Sequence, residues 1–274
     1  METSTTPPVA QVMYRALEPI HALVYFAPER REIYVTAGLK GQWMGYFASR
    51  AAAFGPVPPQ VVEATFYFFA PVLVYRAIPD AWAFATPQRI LQARLEVVDT
   101  MLRRVWGDTA HGPAVAEAAA LARTATQALT APGRPLYAAQ ASLPWPEEPH
   151  LALWHAQNLL REHRGDGHVA TLLRHGVGPC EALALHGAVS AYHASLGRLR
   201  GWTEDQWAAA EASLEDRGWL DGDGAITAEG RAARDAVERD TDALATAAWE
   251  HLGPERCTRL RALAAPLVAA LSDG

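Results

Sequence analysis

The sequence predicts a mainly α-helical protein assembled from two fused units. Three observations predict it. Apolar residues recur at i, i+3 and i+4 through most of the 274 residues, with Gly and Pro gathered between the periodic runs. Residues 203–227 read as a capped helix, a short strand at Gly218-Trp219-Leu220, a tight Asp221-Gly222-Asp223-Gly224 turn and a second strand at Ala225-Ile226-Thr227. That is the order of a recognition helix followed by a β-wing. The two halves also share landmarks: a short helix closes on Gly38 in one and on Gly176 in the other. Asp99-Thr100 recurs as Asp240-Thr241, at the same distance from the capping residues Thr86 and Thr227. The expected fold is two winged helix-turn-helix-like units forming a built-in pseudo-dimer, with a small β-wing in the C-terminal unit.

The N-terminal unit, 10–110, begins with a helix over Leu17–Phe26, stopped by Pro28. A short helix over Glu29–Thr36 ends at Gly38, and a third runs over Gln42–Ala53. A fourth spans Pro58–Phe69, after which Pro71 and Pro79 break the pattern. Thr86 caps a long amphipathic helix to Trp106, with Pro87 in its first turn. This unit is a degenerate copy, because apolar, proline-broken residues 68–75 stand where a wing would be. A helical connector, 111–149, carries the alanine-rich run Ala114–Leu129 and two rigid proline turns. The C-terminal unit, 150–274, reads as a helix over 150–163, a loop at Arg164-Gly165-Asp166-Gly167, and helices over 168–175 and 179–197. The reading helix and wing follow, then a long final helix from Thr227 that Pro266 interrupts.

Composition narrows the function. Half the residues are hydrophobic and a fifth charged, as in a globular chain. The formal net charge is −6, and Lys40 is the single lysine. Glu204, Asp205, Glu211, Glu215 and Asp216 face one base, Arg217, on the expected reading helix. Duplex DNA carries one negative charge per about 1.7 Å of axis and calls for the opposite balance. DNA is therefore not an expected partner, although Arg198, Arg200, Arg231 and Arg234 flank the wing. Cys180 and Cys257 make neither a disulfide framework nor a metal cluster. The N-terminus lacks the pattern of a signal peptide, and the most apolar run, Ala64–Tyr75, is too short to span a bilayer. A cytoplasmic monomer or homodimer with no membrane partner is expected.

Leu214-x-x-Arg217-Gly218-x-Leu220, the acidic turn and Thr227-x-x-Gly230-Arg231 resemble the MarR-type winged helix. MarR-like proteins are usually homodimers with a ligand crevice between DNA-binding and dimerisation helices. Over nearly its whole length the chain resembles an actinobacterial helix-turn-helix family of largely unassigned function. That likeness rests on Gly38-Leu-x-Gly-x-Trp43-x-Gly-Tyr46-Phe-x-x-Arg50-Ala, Phe66-Tyr67, Arg76-Ala-Ile-Pro-x-Ala-Trp82, Pro149-His150-x-x-Leu-Trp154-His155 and Leu160-Arg-Glu-His-Arg-Gly-Asp-Gly-His168. The resemblance implies the fused pair of units; it implies no particular reaction.

Two clusters could carry chemistry. His155 and Glu162 are seven residues apart on one helical face, with His163 close by and His168 brought back by the expected turn. His155 or His163 could act as a base oriented by Glu162 or Asp166, with Arg161 or Arg50 holding an anion. His186 and His193 share a face on the next helix. The plainer role is structural, with Asp166 capping the helix from His168 and Arg161 and Glu162 forming local salt bridges. Trp43, Tyr46, Phe47 and Arg50, with Phe66 and Tyr67, could line an apolar ligand pocket or could be core. A buried Arg50 would need an anionic partner. No nucleotide fingerprint, metal-ligand spacing or nucleophile elbow is present, so no cofactor and no metal are expected. The expected function is binding of a small organic ligand between the two units, on a scaffold that has left DNA. A cofactor-independent acid/base enzyme or a self-resistance protein of specialised metabolism would both fit. The alternative is a ligand-responsive MarR-type transcriptional regulator.

Overall fold

The computed structural model describes residues 7–190 and 199–273. The stripe Ala10, Met13, Leu17, Ile20 and Val24 turns one face of α1 (Val9–Phe26) inward. This helix starts earlier than expected and keeps Pro19 inside it. Short helices follow: α2 (Arg30–Thr36), α3 (Gly41–Ala51), α4 (Pro59–Thr65), α5 (Pro71–Tyr75) and α6 (Asp80–Phe84). Gly38 closes α2 at φ 101°, where a Cβ would press on the carbonyl oxygen of Phe84. Helix α7 (Pro87–Trp106) has the expected cap, Thr86 Oγ1 accepting from the Arg89 amide at 3.3 Å.

Helices α8 (Pro113–Thr126) and α9 (Pro135–Ala141) lead to α10 (Pro149–Arg174), around which the molecule is built. Helix α10 packs against α1, α7, α8, α9 and α13 (Ala228–Ala245). One apolar core joins α1, α7, α8 and α10 to the C-terminal α14 (Ala247–Leu252) and α15 (Pro254–Asp273). The expected connector thus supplies a core helix, and the end of the chain returns to the N-terminal half. A satellite core holds α11 (Pro179–Gly187) against α12 (Glu204–Asp216), with Leu220, Ile226, Trp202 and Trp207 around them.

Four expectations are corrected. The Arg164-Gly165-Asp166-Gly167 loop is continuous helix inside α10. Two helical glycines cost about 1 kcal/mol each relative to alanine. What Gly167 permits is close approach: Arg134 lies across α10 there and donates to the carbonyls of His163 and Leu244. Asp166 accordingly caps no helix at His168. The β-wing is reduced to one antiparallel bridge, Leu220 to Ile226, and the described residues contain no strand. Thr227 turns the chain into α13 at once, its Oγ1 accepting from the Gly230 amide at 3.0 Å, so no longer ladder forms. The final helix is three helices, parted at Thr246 and at Gly253, and Pro266 lies within α15 rather than ending it. Helix α11 ends at Gly187; the expected extension, with His193 and Arg198, reaches beyond the described residues.

Candidate functional site

Helical spacing places Tyr46 and Arg50 one turn apart on α3, facing Arg161 and Glu162 of α10. Arg50 Nη2 donates to both Glu162 oxygens at 2.8 and 2.9 Å, and its Nη1 donates to Tyr46 Oη at 2.9 Å. Arg161 Nη1 donates to Glu162 Oε2 at 2.8 Å. From α1, His21 Nε2 stands 3.9 Å from Glu162 Oε1, and Glu18 lies 3.8 Å from Arg161. The Arg50 guanidinium also sits 4.5 Å from the centre of the Phe66 ring. Burial alone would raise Glu162, but the charges of Arg50 and then Arg161 outweigh it and drive the carboxyl far below its ordinary range. Glu162 is therefore a fixed anion that anchors two guanidinium groups.

This ionic core is the floor of a cleft of about 890 Å³. Tyr46, Phe66, Phe68 and Phe69 form an aromatic wall. Helix α13 forms the opposite wall with Arg234, Asp235, Glu238, Arg239 and Asp242, and Gln11, Tyr14 and Arg15 close the α1 side. Seven arginines and five carboxylates line the cleft, so it is locally positive in a chain that is negative overall. Arg164 is pinned within it, Nη1 to Asp242 at 2.8 Å and Nη2 to Glu238 at 3.2 Å.

Two titratable groups of α10 also line the cleft. Thr241 Oγ1 donates to the Val237 carbonyl at 2.8 Å, so it accepts from His168 Nδ1 at 2.9 Å. His168 is then an Nδ1–H tautomer with Nε2 as acceptor. Burial first, then Arg164 and Arg161, lower this ring to about 4, and it is neutral at pH 7. Asp166 accepts from the Tyr137 amide at 2.9 Å, at the start of α9. Burial raises its carboxyl to about 6 against the effect of that amide. Of the expected acid/base groups, Asp166 titrates nearest neutrality.

The remaining sequence candidates are dispersed. His155 shares a face with Glu162, yet seven residues are about 10.5 Å of helix, and its end of α10 is covered. Its ring meets Trp145 edge-on at 4.8 Å, and burial, then Arg94 and Arg123, lower it to about 4. His163 packs on Tyr137 at 5.1 Å and borders a small cavity of about 30 Å³ that also touches His21 and shares Tyr14, Arg161 and Arg164 with the cleft. Burial, then Arg134, lower it to about 4. Phe47 is fully buried and Trp43 packs on it at 6.0 Å, so both serve the core. Tyr67 Oη donates to the Val177 carbonyl at 2.6 Å, outside the cleft. The structure thus gathers Tyr46, Arg50, Phe66, Arg161, Glu162, Asp166 and His168. Sequence reasoning missed Phe68, Phe69, Arg164 and the α13 wall. A polar stripe at helical spacing, Tyr14, Glu18, His21 and Tyr25, was the available sign that α1 faces a charged site.

The acidic face of α12 stays outward: Glu204, Asp205, Glu215 and Asp216 are exposed. Arg217 turns inward, donating to the carbonyls of His175 and Gly176 at 3.0 Å each and stacking 3.5 Å above Trp219. Among the described residues, no helix is long and apolar enough to cross a membrane. The model of a helix-turn-helix family matches residues 10–274. No curated protein and no solved structure matches the chain.

Proposed function

The chain belongs to a helix-turn-helix family, and we propose that it uses that scaffold to hold a small organic anion with an aromatic or apolar body. One observation carries the proposal: a single cleft joins an aromatic wall to an arginine-rich floor. Its volume suits a small molecule, since ligand pockets run to about 300–1,000 Å³. The ring faces of Phe66 and Phe68 suit the apolar body, and arginines suit a carboxylate or phosphate. The outward acidity of α12 and the inward turn of Arg217 are unfavourable for a DNA-reading helix.

If the bound molecule reacts, Asp166 is the proton donor or acceptor and the neutral His168 a hydrogen-bond acceptor. Both Glu162 and His155 are replaced in the roles that spacing suggested for them. A cytoplasmic enzyme or self-resistance protein of specialised metabolism, on a distantly MarR-like duplicated scaffold, remains the functional setting we favour. A thermal-shift screen of aromatic carboxylates tests the proposal. At least one should raise the melting temperature of the parent, as a ligand that binds only the folded state must. The gain should vanish in Phe68→Ala and Arg15→Ala. No stabilisation by any compound, together with a salt-sensitive shift of duplex DNA, would overturn it.

A further inference from the structure

Asp99 on α7 and Asp240 on α13 each bond a histidine at opposite ends of α10. The contacts are His150 Nε2 at 2.6 Å and His175 Nε2 at 2.9 Å. Among the described residues, the first pair alone stands among further ligand atoms. His111 ends the 3-10 turn Gly107–His111 after α7, and Glu148 precedes α10; with His150, one ligand atom from each lies within 4.8 Å of the others. His111 Nδ1 is 3.1 Å from Glu148 Oε2, and the two imidazoles meet edge to face at 5.0 Å.

Asp99 also accepts from Arg103 Nε at 2.7 Å. Its Oδ1 thus meets both Arg103 Nε and His150 Nε2, and an oxygen placed to accept from a guanidinium is the acceptor toward the imidazole as well. A carboxylate only accepts, so His150 Nε2 carries the proton. The other nitrogen, Nδ1, has no hydrogen-bond partner in a ring with no exposure. A carboxylate that fixes one imidazole nitrogen as donor prepares the other for a metal.

We propose that His111, Glu148 and His150 form a site for a divalent transition-metal ion of the Zn²⁺, Co²⁺ and Ni²⁺ kind. His150 ligates through the nitrogen that Asp99 leaves free, and water completes the shell. Two imidazoles and one carboxylate suit these ions, whereas Mg²⁺ and Ca²⁺ take oxygen sets. Ligand atoms around a tetrahedral ion stand roughly 3.4 Å apart. The three must therefore close up, and the exposed side chains of His111 and Glu148 have room to do so. Arg103 Nη1, 2.6 Å from His111 Nε2, swings away when that nitrogen takes the ring proton, and keeps Asp99 through Nε. The site shares no residue with the cleft.

The test is calorimetric titration of ZnCl₂ into tag-free, EDTA-treated full chain, with Co²⁺ absorption as a second readout. One equivalent should bind, and bound Co²⁺ should show visible ligand-field bands. His111→Ala and Glu148→Gln, both at exposed positions, should each weaken Zn²⁺ by at least about tenfold. His175→Ala, at the other end of α10, should leave binding unchanged. Absence of stoichiometric binding to the parent would overturn the proposal. Affinity that survives the His111→Ala/Glu148→Gln double variant would do the same.

Discussion

Arg50 and Arg94 are almost equally buried, 5% and 2% exposed, but they meet opposite partners across α10. Arg50 has a full carboxylate, Glu162, and borders the cleft. Arg94 has the amide oxygens of Gln140 at 3.3 Å and Asn158 at 3.0 Å, and the Trp154 ring at 5.0 Å. Gln140 links the two, since its Nε2 donates to the Arg50 backbone carbonyl at 3.0 Å. Asn158 lies one helical turn before Glu162. The difference teaches a division of labour. The charge–charge side faces the cleft, while the charge–amide side positions both halves of the Arg50–Glu162 pair.

The sharpest way to break this comparison is Glu162→Ala. It strands Arg50 without its main counter-charge, and chemical denaturation should show a loss of about 3–5 kcal/mol. Arg50→Met with Glu162→Met should recover most of that loss, because the buried arginine leaves with its partner while Arg161, partly exposed, keeps Glu18. Arg94→Met should cost less, about 1–2 kcal/mol, since the Gln140 oxygen keeps its bond from Asn158 Nδ2 and only the Asn158 oxygen is left without a donor. A loss at Arg94 as large as at Glu162 would remove the distinction.

Acid sharpens the comparison next. His155, His163 and His168 ordinarily titrate near 6.5 and are lowered to about 4 in the fold. Between those values the unfolded chain binds protons that the folded chain refuses, so each histidine lowers stability as pH falls from 6.5 to about 4. Asp166 acts in reverse: raised from 3.8 to about 6, it holds a proton that the unfolded chain releases. Three groups outweigh one, and the melting temperature should fall between pH 7 and pH 5. His155→Gln should flatten that fall, and an unchanged slope would show that His155 is not buried neutral. The smallest effect is expected at the surface. Glu215→Lys with Asp216→Lys on α12 should change stability by no more than about 0.5 kcal/mol. Electrophoretic shift assays should show no tight DNA binding by the parent.

Legibility followed the physics of each signal. Thr86 and Thr227 announced their helices, because a cap is a local bond between near neighbours. Arg50 was expected to need an anion if buried, and its anion is Glu162. The Arg164-Gly165-Asp166-Gly167 run was misread because glycine marks either a turn or a close approach. The approaching group, Arg134, comes from thirty-odd residues away. His155 and Glu162 share a helical face, but no periodicity says which stretch of that face another helix will cover. Phe68 and Phe69 looked like the remains of a lost wing, and their role as a cleft wall depends on distant contacts.

Gly167 has a consequence beyond helix continuity. Arg134 passes over α10 there as a crossbar, tied to His163 in α10 and to Leu244 at the end of α13. Asp166, next along, receives the first amides of α9. A methyl group at position 167 would lift the crossbar and loosen three helices at one point. All three helices border the cleft, so the smallest side chain in the molecule governs how firmly opposite banks of the binding site are held to each other.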